Sequence, residues 1–188
     1  MSRSGLVTVL AAATLVLSAC GATKPQPVAA MPPDAPADLC ASVPEAVKSG
    51  LETSSDTDTN GDPTAACSLR SAPGVKPEVR GVVTWLQLDD EDVADGVLAS
   101  QCRAIDTAVY KVQTGYAPQG SDKACGGSGK LGGADAATVA AVAGRTVVTV
   151  RWSAAPAQAP PAFPRSTEVL ESVLKSLTGN TGATGTDS

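Results

Sequence analysis

The stretch Thr138–Ser153, TVAAVAGRTVVTVRWS, reads as two extended runs, Thr138 to Ala143 and Arg145 to Ser153, either side of Gly144. Valine- and threonine-rich runs around a glycine predict an antiparallel hairpin with a tight turn. Val148, Val150 and Trp152 recur at every second position and share one face, the expected core side. Upstream, Glu78 to Leu88 (EVRGVVTWLQL) predicts a longer strand and Ala66 to Ser71 a short one, separated by a turn at Pro73-Gly74. Asp89 or Asp90 can cap a helix in which Val93, Val97, Cys102, Ile105 and Val109 recur with mostly helical spacing.

A second helix is predicted over Ser166 to Leu177. It opens after Pro164, carries Glu168 early and Lys175 late, stops at Gly179, and has an apolar stripe of Val169, Leu170, Val173, Leu174 and Leu177. Ser42-Val43-Pro44-Glu45 has capping-box spacing and predicts a short helix to about Ser49, ended by Gly50. Glu52 to Thr64 and the glycine-rich Gly115 to Gly133 read as loops. The expected fold class is therefore α+β: a few antiparallel strands with helices packed on one side.

At the N-terminus, Arg3 precedes a mostly apolar block, Gly5 to Ala19, the pattern of an export signal over residues 1–19. A membrane span needs about 20 apolar residues, and this block is too short. It ends in Leu17-Ser18-Ala19-Cys20, which resembles the lipobox of bacterial lipoproteins. That resemblance implies that the Cys20 thiol receives a diacylglycerol and that the signal is cut just before it, so Cys20 is the lipidation site. Residues 20–37 then form a lipid-anchored linker whose Pro and Ala favour an extended spacer. One α+β domain is expected over residues 38–178 and a disordered Gly/Thr-rich tail over residues 179–188.

Setting Cys20 aside leaves Cys40, Cys67, Cys102 and Cys125. An even number in an exported chain argues for two disulfides, each stabilising by about 3 kcal/mol. Three connectivities are open. Cys40 with Cys67 and Cys102 with Cys125 is favoured, because each pair closes a loop containing a polar stretch. No metal site is expected, since the chain has no histidine and no CxxC pair.

Several motifs touch on chemistry. Asp56, Asp58, Asn60, Gly61 and Asp62 fit the first half of a calcium loop, but the twelfth position, where a closing Glu belongs, is Cys67. Gly126-Gly127-Ser128-Gly129-Lys130 has phosphate-loop composition, yet Ala124 stands where the first Gly should and Leu131 follows the Lys. Ser172-Val173-Leu174-Lys175 matches a Ser-x-x-Lys pattern late in an amphipathic helix, without its companion signatures. Histidine-based triads are impossible. Asp89, Asp90, Glu91 and Asp92 could in form supply paired carboxylates, though acids at a helix start more simply favour its dipole. Trp85 and Trp152 are expected in the core, or lining a cleft between sheet and helix, and Tyr116 is expected as an exposed contact. The net charge of -5, which becomes -6 without Arg3, makes a nucleic-acid partner unfavourable.

Taken with the lipobox, the Asp38-Leu39-Cys40 start, the Ala66-Cys67-Ser68 segment, the late hairpin and the C-terminal helix resemble an uncharacterised family of actinobacterial envelope lipoproteins. The layout is similar to the extracellular sensor domain of a mycobacterial serine/threonine kinase. That resemblance implies a curved antiparallel sheet with helices against it and two disulfides over Asp38 to Leu177, and it brings no established activity. The expected function is a non-catalytic binding or sensing module outside the cell, tethered to the membrane through its lipid, with an envelope protein or small ligand as partner and no cofactor. The alternative is a carboxylate-dependent hydrolase acting on cell-wall material.

Overall fold

The computed structural model describes residues 35–59, 62–107, 110–157 and 160–179, with the side chains of residues 107, 178 and 179 left out. The expected signal, Cys20, most of the spacer, Asn60, Gly61, Val109 and the tail beyond residue 179 lie outside the described residues. A 3₁₀ turn, Leu39–Ser42, leads into α1, Glu45–Lys48, and the strands β1, Glu52–Asp58, β2, Thr64–Arg70, and β3, Glu78–Gln87. Then come α2, Glu91–Thr107; β4, Tyr110–Val112; β5, Lys123–Leu131; β6, Ala134–Ala143; β7, Thr146–Ala155; and α3, Ala162–Gly179. The fold is mixed α+β, with seven antiparallel strands in one open sheet ordered β1-β2-β3-β7-β6-β5-β4.

The hairpin that anchors the sheet is β6–β7. Ala143 stands opposite Thr146, so Gly144 and Arg145 make a two-residue turn, and Gly144 takes φ +54°, where a side chain is strained. Both strands are apolar at successive positions and buried on both faces. Ala137, Val139, Ala141, Val148, Val150 and Trp152 join the core beneath Val169, Leu170, Val173 and Leu174 of α3. Ala140, Val142 and Val147 face the other way, against Ala94 and Leu98 of α2. The expectation of helices on one side is therefore corrected: α2 and α3 lie on opposite faces, because strands apolar on both faces need two covers.

Smaller expectations also change. Glu52–Asp58, read as a loop, is an edge strand; its polar side chains hide the alternation that marks a strand, while its backbone pairs residue for residue with β2. The glycine-rich segment contains β5. A Cβ on Gly126 would lie 2.9 Å from the Phe163 ring of α3, and one on Gly127 would lie 2.8 Å from Ile105 of α2. These glycines thus allow both helices to close on one strand. In α2 the buried residues are Ala94, Leu98 and Ile105, and Val93 is exposed. Helix α3 begins at Ala162, earlier than the stripe suggests, because Asp135 Oδ2 accepts the Ala162 N–H at 2.7 Å and Pro164 fits a first turn. No capping box forms, since Pro44 precedes α1 and Ser42 is used elsewhere.

Of the three connectivities, the structure holds Cys40–Cys67 and Cys102–Cys125. The first ties the 3₁₀ turn to β2, and the second ties α2 to β5, so each face of the sheet carries one bridge.

Gly127→Val should destabilise the domain by about 1–3 kcal/mol through overpacking. Gly96→Ala, on α2 with open space around the new methyl, should stabilise it by about 0.5–1 kcal/mol. Urea unfolding of the two variants should shift in opposite directions, and equal midpoints would contradict the packing described.

Candidate functional site

One helix spans only part of a seven-stranded sheet. On the α3 side, the 3₁₀ turn and α1 extend the cover over β1 and β2, with Leu39, Val43 and Val47 in the core. On the α2 side nothing comparable does so. Helix α2 contacts β4, β5, β6 and β7 and reaches the end of β3 at Leu86, and leaves β1, β2 and the rest of β3 uncovered on that face.

Strand alternation and register place a defined set of side chains on that face. Ser54, Ser68, Val82 and Arg151 stand opposite one another across β1, β2, β3 and β7; Glu52, Arg70, Arg80 and Ser153 form the next row. Arg70 and Arg80 are thus directly opposed like charges, an unfavourable cross-strand pair. Arg70 Nε donates to Glu52 Oε2 at 2.8 Å. Arg80 and Arg151 make no ion pair among the described residues. The nearby Glu78 is engaged by Lys76, whose hydrogen bond and charge hold its carboxyl below the usual range, with Arg80 adding a smaller pull. By the same alternation Asp56 and Asp58 of β1 share this face, so the carboxylates of Glu52, Asp56, Asp58 and Glu78 accompany the cations of Arg70, Lys76, Arg80 and Arg151, and the face carries charges of both signs. Three shallow grooves of about 450, 250 and 230 Å³ meet on it, joined through Ser68, Arg70 and Val82.

A second groove, of about 550 Å³, runs between α3 and the loop before β5. Tyr116 is half-buried there. Its ring packs edge-on to Phe163 at 5.1 Å and its hydroxyl is 3.2 Å from Thr167 Oγ1, which corrects the expectation of an exposed contact. Burial pushes its phenol up to about 12, with the Glu171 charge adding and the Thr167 bond opposing. Glu171 Oε1 accepts the Gln119 N–H at 3.0 Å, so the polar groups here hold the loop against the helix.

The motifs found in the sequence do not come together. Asp56 lies on edge strand β1, and among the described residues no group of three His, Cys, Asp or Glu could hold a metal. Gly126 to Lys130 lie within β5 and form no phosphate loop, and Lys130 faces Asp135 at 3.7 Å. Ser172 Oγ donates to the Ser42 carbonyl at 2.8 Å, fastening α3 to the 3₁₀ turn. Asp90 Oδ1 accepts the Asp92 N–H at 2.6 Å as a helix cap, and Asp89, Glu91 and Asp92 are exposed at the helix start. Trp85 and Trp152 are core residues whose indole N–H groups lack a partner among the described residues, and the Trp152 ring occupies the space a side chain would take at Gly81. This open face escaped the sequence reading, although Arg80, Val82 and Thr84 alternate with buried Val79, Val83 and Trp85 and so belong to the opposite surface.

Comparison with known protein families, curated protein sequences and solved structures finds no match for this chain.

The raised Tyr116 phenol favours the folded state fully below pH 10, and that contribution is lost as pH climbs through about 12. Urea unfolding between pH 9 and 12 should show a smaller alkaline loss for Tyr116→Phe than for the parent. Phenolate absorbance of the folded parent rising at pH 10 for both tyrosines would contradict the burial.

Proposed function

We propose that this chain is a lipid-anchored, extracytoplasmic binding module of the cell envelope, related to the envelope lipoproteins it resembles, and that the open, charged face of β1, β2 and β3 is where it meets its ligand. The observation that carries the binding part is that face: a stretch of sheet without a covering helix, on which Arg80 and Arg151 make no ion pair among the described residues. The anchoring part rests on the apolar block ending at Leu17-Ser18-Ala19-Cys20 and the Pro/Ala-rich residues after it. Two disulfides suit an oxidising compartment outside the cytoplasm. The ordered domain begins close behind the spacer, where Thr57 Oγ1 donates to the Pro36 carbonyl and the Leu39 N–H donates to Ser55 Oγ. Forces on a tether at Cys20 would therefore reach edge strand β1.

Of the candidate polar groups, several have structural employment. Asp90 caps α2, Ser172 docks α3, and Asp135 caps α3. This favours binding over a carboxylate-dependent hydrolase.

Cells expressing the chain and fed labelled palmitate should yield a mature protein that begins at Cys20 and carries the label. Cys20→Ala should abolish labelling. A mature chain with a free Cys20 thiol, or a label that survives the substitution, would remove the anchor.

A further inference from the structure

We infer that Cys102–Cys125 is a redox-operated latch: a dithiol reductant opens it ahead of Cys40–Cys67, and helix α2 then comes away from the sheet while the rest of the domain stays folded.

The two bridges differ in access. Cys40 and Cys67 are 6% and 0% exposed and belong to the main core beneath α3. Cys102 and Cys125 are half-buried and pack against the smaller cluster beneath α2. Exchange begins when a thiolate reaches a sulfur, so a disulfide near the surface opens sooner than one in a core. The reductant's thiolate attacks one sulfur of Cys102–Cys125, forming a mixed disulfide and releasing the other cysteine as a thiolate. The reductant's second thiol then closes its own disulfide and frees the remaining cysteine. Two electrons pass to the bridge, the reductant is oxidised, and the two protons of the dithiol end on Cys102 and Cys125.

The element that this bridge fastens has little else to hold it. Among the described side chains of α2, only Ala94, Leu98 and Ile105 are buried, over a helix of 17 residues, whereas α3 buries Val169, Leu170, Val173 and Leu174 completely. Gly96, inside α2, weakens the helix itself. Along β5 the helix is fastened at alternate positions. Lys123 pairs with Asp95, Cys125 is bonded to Cys102, and Ile105 sits over Gly127. The Lys123–Asp95 pair is exposed and contributes little. An element with so few buried apolar side chains opens locally at a lower free energy than the whole domain. With the bridge reduced, the opening of α2 uncovers Ala140, Val142 and Val147. Cys40–Cys67 has no such role, because Leu39, Val43 and Val47 hold its 3₁₀ turn and α1 in the core as well.

The test uses the full lipidated chain in a neutral detergent, with dithiothreitol as the reductant. Thiols are trapped with N-ethylmaleimide and located by peptide mass spectrometry, so Cys20 is read on its own peptide. Cys102 and Cys125 should be trapped about tenfold faster than Cys40 and Cys67. Hydrogen exchange at that stage should accelerate about tenfold across Glu91–Thr107, while β3, β7 and α3 keep their protection, and oxidised glutathione should restore the parent pattern. A Cys102→Ala, Cys125→Ala double variant should exchange like the half-reduced parent and no longer respond to low dithiothreitol. Simultaneous opening of both bridges, earlier opening of Cys40–Cys67, unchanged exchange in α2, or exchange that rises through the whole sheet would each overturn the latch. So would a double variant that fails to fold, since the bridge would then belong to the framework of the domain.

Discussion

Strands β6 and β7 are apolar on both faces, and the rest of the domain is arranged around that constraint. A strand with only one apolar face can leave the other to water; this pair cannot, so a helix must lie on each side. The consequences reach into single residues. Gly126 and Gly127 are the points in β5 where α3 and α2 come too close for a side chain, and each disulfide secures the elements packed on one face.

The same geometry explains why part of the sheet is open. A helix with its side chains is about 10 Å across, roughly two strand spacings, so two helices cannot cover seven strands on both faces. On the α3 side, the 3₁₀ turn and α1 complete the cover, held by Cys40–Cys67 and by the bond from Ser172 to Ser42. On the α2 side β1, β2 and β3 present mainly Ser, Thr, Asp, Glu and Arg, residues compatible with water. Keeping Arg70 opposite Arg80 costs stability in the free protein. The Glu52 carboxylate at 2.8 Å from Arg70 offsets part of that cost.

Much of the fold was legible because it depends on local periodicity. The β6–β7 hairpin, β3, α2 and α3 all announce themselves through apolar spacing, and the favoured cysteine pairing matches the bridges present. Edge strand β1 was not legible, since a strand exposed on both faces has no apolar alternation and is defined only by its pairing with β2. Strand β5 was hidden for a different reason: its glycines signal a loop locally and answer to crowding by distant helices. Tyr116 likewise looked exposed until Phe163, far along the chain, was folded against it.

By itself the sequence determined the strands and helices with strong periodicity, the α+β class and the expectation of export with a lipid on Cys20, because each of these is written in neighbouring residues. Tertiary structure alone decided that the helices take opposite faces, that the calcium, phosphate and serine motifs fall apart, and that Arg70, Arg80 and Arg151 share one open surface. Those outcomes depend on strand order and register, which join residues up to about eighty positions apart. No local pattern encodes them.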